Sequence, residues 1–207
     1  MSDATGPAGT ASPDRGRTTP LGKAFAAIDG TGERWTATVR GRRWADVSAA
    51  VLSNISDHGA VWVLAAAWKA RHPGPARRRA VAALALAGVS SYCVNRTVKQ
   101  LVGRSRPDQP ASPVQGMPVR TPASSSFPSG HTLAAFCTAM VLPDRPTFRR
   151  AALAFAAAVA ASRVHMRAHH ASDVLGGATI GTVVGTIVRP LVDVLASGPC
   201  ARKLRSE

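Results

Sequence analysis

From Val51 to Ala196 the chain alternates apolar, Ala-rich runs with short basic or Pro- and Gly-containing turns. Runs of this length and spacing cross a bilayer or fill a helical bundle. The turns carry the charge: Arg71 with Arg77 to Arg79, then Arg145, Arg149 and Arg150, then Arg202, Lys203 and Arg205. Basic residues gathered between apolar runs are the pattern of membrane-flanking loops. The pattern predicts an all-α, integral-membrane helical bundle with about five transmembrane helices. They lie near 51–69, 80–100, 131–142, 148–162 and 172–196. The first is the weakest, because Asn54, Asp57 and His58 interrupt it. Asp57 and His58 either pair within the bundle or cap an irregular first helix. The third run is short, about 18 Å at helical rise. Either it starts a turn earlier or the bundle shields it. Gly176, Gly177, Gly181 and Gly185 in the last run allow close helix approach.

The net charge is +15, from 26 Lys and Arg against 11 Asp and Glu, which points to nucleic acid or an anionic membrane surface. One Tyr and five Phe offer no stacking platform, and the basic residues form no single stripe, so no nucleic-acid partner is expected. Mean hydropathy is only +0.02, lowered by a polar tail and by Ala in place of Leu within the runs. Cys93, Cys137 and Cys200 are odd in number and lack metal-ligand spacing, so neither a disulfide framework nor a zinc site is expected. Four regions follow. Residues 1–22 form a disordered Gly/Pro/Ser/Thr tail, without the apolar centre of a signal peptide. Residues 23–50 form an interfacial amphipathic segment anchored by Trp35 and Trp44. Residues 51–198 form the membrane domain, and 199–207 a basic C-terminal tail.

Three stretches carry chemistry. Ser162 to Asp173 joins the last two runs and contains Arg163, His169 and Asp173. Arg grips an anion bidentately, and His is a proton shuttle or nitrogen nucleophile. An Asp four residues after the His would share its helical face and fix its tautomer. Lys99 to Pro107 places Lys99 and Arg106 at the end of the second run. Pro128-Ser129-Gly130-His131 opens the third. Lys99, Arg106 and Arg163 would neutralise a phosphoryl group, with Ser129 and the N–H groups of Gly130 and His131 as further donors. Three cations do the work of a metal, and no carboxylate cluster suits Mg²⁺, so no metal or cofactor is expected.

Together these stretches resemble the signature of the type-2 phosphatidate phosphatase superfamily, which includes lipid phosphate phosphatases, bacterial acid phosphatases and vanadate-dependent haloperoxidases. That signature is Lys, six residues, Arg-Pro; then Pro-Ser-Gly-His; then Ser-Arg, five residues, His, three residues, Asp. Every position matches here. The resemblance implies a membrane phosphatase acting on a polyprenyl or phosphatidyl phosphate or diphosphate and releasing inorganic phosphate. It also implies the catalytic roles: His169 attacks phosphorus, Asp173 orients it, and His131 protonates the leaving oxygen. A haloperoxidase and a non-catalytic membrane scaffold are the competing readings. Arg167 stands where many members carry Gly, and its charge could tune head-group choice. Arg96, one turn before Lys99, could reach a second phosphate. His165 and His170 match no motif position and are read as loop or interfacial residues. Alternation of the runs puts all three motifs on one membrane face. The basic turns make the opposite face cytoplasmic, although Arg34 to Arg43 count against this.

Overall fold

The computed structural model describes residues 19–108, 114 and 124–203, without the side chains of His58 and 198–203. Most of the predicted N-terminal tail, much of the loop after the first motif and the last four residues lie outside the described residues.

Seven α-helices and no strand are present among the described residues. They are α1 (Pro20–Ala37), α2 (Arg43–Ile55), α3 (Ala60–Ala70), α4 (Pro75–Val102), α5 (Gly130–Val141), α6 (Pro146–His165) and α7 (Ala171–Lys203). Local chemistry sets their ends. Pro20, Pro75 and Pro146 occupy first helical positions, where a missing N–H costs nothing. The Thr19 hydroxyl accepts from Gly22 N–H at 3.1 Å and caps α1. Gly103, left-handed at φ 58°, ends α4 and turns the chain back across the motif residues.

The first expected span is not one helix. The chain breaks after α2 into a 3-10 turn, Asp57–Gly59, and resumes as α3 from left-handed Gly59. Two helices, Pro75–Val102 and Ala171–Ser197, have the length and hydropathy to cross a bilayer unaided. α3 and α5 are shorter apolar helices. α5 starts at Gly130 and is shielded: Leu133, Ala135, Cys137, Ala139 and Val141 are buried among α4, α6 and α7. Close approach makes this possible. A Cβ on Gly177 would lie 2.7 Å from the Ser129 carbonyl, and one on Gly185 2.6 Å from Met140 Cβ.

Alanines from α3, α4, α5 and α6 fill much of the core. Many large apolar side chains face outward: Val81 and Val89 on α4, and Val183, Ile187, Leu191 and Leu195 on α7. A small-residue interior with a bulky apolar exterior inverts the pattern of a water-soluble bundle. α1 and α2 pack on α6, and α1 also on α7, while Trp35 and Trp44 remain exposed.

Candidate active site

The C-terminal ends of α4 and α6 meet the N-terminal ends of α5 and α7. A cavity of about 790 Å³ opens there. Lys99, Arg106, Gly130, His131, Arg163 and His169 all line it, so the three sequence stretches converge. Arg96 also lines it, at an exposed position. Ser129 does not. It is fully buried, and its hydroxyl accepts from Thr132 Oγ1 at 3.0 Å. Among the described residues, no group of three or more His, Cys, Asp or Glu converges on a metal-sized site.

His169 lies in the short link between α6 and α7 and is 3% exposed. Its Nδ1 is 2.8 Å from the Ser126 carbonyl oxygen. A carbonyl only accepts, so Nδ1 carries the proton and Nε2 keeps its lone pair. Nε2 is 3.2 Å from Arg106 Nη1, bringing nucleophilic nitrogen and guanidinium to one point. Burial pushes the His169 pKa down to about 4; Arg106 and Arg163 push the same way, and Asp173 opposes them. The imidazole is therefore neutral at pH 7.

Asp173 is not bonded to His169 in the way helical spacing predicts. Its Oδ2 is 3.8 Å from Nδ1, too long for a hydrogen bond. The reason is the helix boundary. α7 starts at Ala171, so His169 precedes its first turn. Asp173 instead accepts from His170 N–H at 2.8 Å, closing the N-terminus of α7. It also accepts from Arg104 Nη1 at 2.6 Å and from the Ser126 hydroxyl. Through Ser126 it holds the residue whose carbonyl orients His169.

Two of the motif cations have no carboxylate within ion-pair reach among the described residues. Arg163 is 1% exposed; its Nη1 donates to Ser53 Oγ, while Nε has no partner. Lys99 Nζ donates to Ser124 Oγ at 3.2 Å. Arg106 donates to the Ala168 carbonyl at 2.8 Å, and burial lowers its pKa. Elsewhere the chain matches cations with carboxylates. Arg104 meets Asp29 at 2.5 Å, Arg40 meets Glu33 at 2.7 Å, and Arg79 meets Asp193.

The PAP2 superfamily model matches residues 80–195, over half of the chain. The chain belongs to the PAP2 superfamily. Within it, the chain is 32% identical over 129 residues to the decaprenylphosphoryl-5-phosphoribose phosphatase of Mycobacterium tuberculosis. That match covers 62% of this chain and 70% of the relative, and is the same in strains CDC 1551 / Oshkosh and H37Rv. The crystal structure of a transmembrane PAP2-type phosphatidylglycerolphosphate phosphatase from Bacillus subtilis shares the fold. Its TM-score is 0.62 at 20% identity, covering 84% of this chain and 88% of that one.

Several residues that sequence reasoning left unassigned precede the PAP2 match. Asp57, whose role was open, lies 2.7 Å from His131 Nε2, and the other ring nitrogen has no partner among the described residues. Asp46 lies 2.7 Å from His165 Nε2. His165 ends α6 and is 7% exposed, so it is a packed core histidine and not the loop or interfacial residue expected. Asp29 accepts from Ser172 N–H at 2.9 Å as well as from Arg104. Arg167 has φ 52°, the left-handed conformation that Gly adopts without strain. The Arg167 side chain pairs with Glu33 on α1 without lining the cavity. One signal was available: α1 and α2 hold few acidic residues, and such residues are rare in apolar bundles unless paired.

Proposed function

We propose that the protein is a multi-pass membrane lipid phosphatase. It hydrolyses a phosphomonoester or diphosphate on a polyprenyl or phosphatidyl lipid through a phospho-histidine. One observation carries this reading: buried Arg163 and half-buried Lys99 line the cavity with no carboxylate in ion-pair contact among the described residues, beside His169 and His131. A buried cation without a direct ion pair is costly, which supports a site built for an anion. The names of the relatives support a lipid substrate, and the outward apolar faces of α4 and α7 support a bilayer setting.

Lys99, Arg106 and Arg163 bind the phosphoryl oxygens and stabilise the charge of the five-coordinate transition state. His169 Nε2 attacks phosphorus in line. The N–P bond forms as the bond to the lipid oxygen breaks. The His131 nitrogen that does not face Asp57 delivers a proton to that oxygen. His131 then takes a proton from water, the water oxygen attacks phosphorus, and the N–P bond breaks to release phosphate. Asp173 acts as a positioning residue through Ser126, and Asp57 through His131. No residue of the chain needs a metal for these steps. The basic turns at the far end of the bundle support an extracytoplasmic site by the positive-inside tendency, with Arg34 to Arg43 counting against it.

The test is phosphate release by purified protein in EDTA from phosphatidate, polyprenyl diphosphate and a phosphorylated prenyl sugar. Release from at least one, blocked by vanadate, is expected. No release from any, or release that requires added Mg²⁺, contradicts the reading.

A further inference from the structure

α1 precedes the PAP2 match, yet one stripe of it touches the loops that carry all three motif stretches. Phe25, Asp29 and Gly32 follow one another at spacings of four and three, so they share a helix face. The Phe25 ring packs against that of Phe127, just before Pro128, with centroids 6.3 Å apart. Asp29 takes Arg104 of the first stretch and Ser172 of the third. Gly32 sits on Ala171: a Cβ there would lie 2.5 Å from the Ala171 Cβ. The opposite side of α1 carries exposed Lys23 and Arg34.

Asp29 meets the bonds that orient His169. Arg104 stands between two carboxylates: Nη2 donates to Asp29 Oδ2 at 2.5 Å and Nη1 to Asp173 Oδ1 at 2.6 Å. Charge-assisted bonds of this length are the strong ones. The Arg104 backbone holds the neighbouring loop. Its carbonyl accepts from Ser126 N–H at 2.8 Å, and its N–H donates to Ser125 Oγ at 3.0 Å. Asp173 takes the Ser126 hydroxyl, and the Ser126 carbonyl takes His169 Nδ1. Arg104 therefore holds Ser126 twice, directly and through Asp173, and Asp29 holds Arg104. The second Asp29 oxygen, Oδ1, accepts from Ser172 N–H at 2.9 Å, three residues after His169.

We infer that Asp29 is a positioning residue of the active site, acting through Arg104, Asp173 and Ser126 to hold His169 for attack. This role presupposes the phosphatase reading and adds α1 to its catalytic frame. Without the Asp29 carboxylate, Arg104 Nη2 loses its charged acceptor. The effect falls on geometry and not on anion affinity. Asp29 does not line the cavity, and Lys99, Arg106 and Arg163 keep their own contacts. A displacement of about 1 Å at a reacting atom costs up to about 10²-fold in rate.

The experiment compares full-length Asp29→Asn, Arg104→Gln and the double variant with the wild type in detergent. Asp29→Asn should lower kcat by about tenfold, with KM changed by no more than about twofold. In the Arg104→Gln background the same substitution should add less than about twofold, because the relay is already cut. A folding defect alone would multiply in both backgrounds. A wild-type kcat in folded Asp29→Asn overturns the inference, as does an equal loss in both backgrounds. A measurement on the wild type decides where a variant does not fold. Coupling is reciprocal, so vanadate in the cavity should slow amide hydrogen exchange in α1 as well as in residues 163–170. Protection of 163–170 with α1 exchange unchanged overturns the inference alone. Vanadate protection in neither segment, with no phosphate release, overturns the phosphatase reading and the inference with it.

Discussion

Asp57 Oδ1 and His131 Nε2 lie 2.7 Å apart, although 74 residues separate them in the chain. Asp57 stands on the 3-10 turn that interrupts the first apolar run, and His131 in the first turn of α5. The break in the run thus supplies a carboxylate to the proposed acid. A carboxylate at this distance fixes the ring's orientation and leaves its other nitrogen toward the cavity. Asp57→Asn should lower turnover of an alkyl lipid phosphate by about 10²-fold, within the range of general acid catalysis. The loss should shrink to a few-fold with p-nitrophenyl phosphate, whose leaving group needs no proton. Equal losses on both substrates would make Asp57 a folding residue only.

The His169 imidazole, lowered by burial from the ordinary 6.5 to about 4, sets a pH dependence. The nucleophile must be neutral. A depressed pKa keeps it neutral down to about pH 4, so activity falls only as pH drops through that value. The acid limb of kcat/KM, corrected for the ionisation of the substrate phosphate, should therefore fall near pH 4. A limb at the ordinary imidazole value would mean that His169 is solvated in the free protein.

The sequence made the cradle legible because its spacing is local. Lys99 and Arg106 are seven residues apart on a helix end and its following turn, and Pro75, Pro146 and Gly103 announce helix ends by their own chemistry. Distant pairs leave no such trace. Nothing near Asp46 points to His165, nor near Asp29 to Arg104, because only packing of α1 and α2 onto the bundle brings them together. The His169–Asp173 relationship was misread for a different reason. Helical i,i+4 spacing was applied to His169 although the helix starts after it, at Ala171, so the expected same-face pair is a loop residue and a capping carboxylate.

Arg167 offers a check on the loop. Its left-handed backbone costs about 1 kcal/mol in a residue with a Cβ. Its ion pair with Glu33 is partly exposed and contributes at most about 1 kcal/mol. Arg167→Gly removes both, so thermal stability in detergent should change by no more than about 1 kcal/mol. The ratio of diphosphate to monophosphate turnover should stay constant, because the side chain is held on α1. A selective loss of diphosphate turnover would return Arg167 to a tuning role.

The central claim is that His169 carries the phosphoryl group, and trapping that group tests it most directly. Purified protein mixed with ³²P-labelled lipid phosphate and quenched in alkali should hold acid-labile, alkali-stable label on the peptide containing His169. His169→Ala should hold none, while Asp57→Asn, slowed mainly in leaving-group protonation, should still label at that site. Label on His165, His170 or a serine, or turnover by His169→Ala near the wild-type rate, would contradict the account.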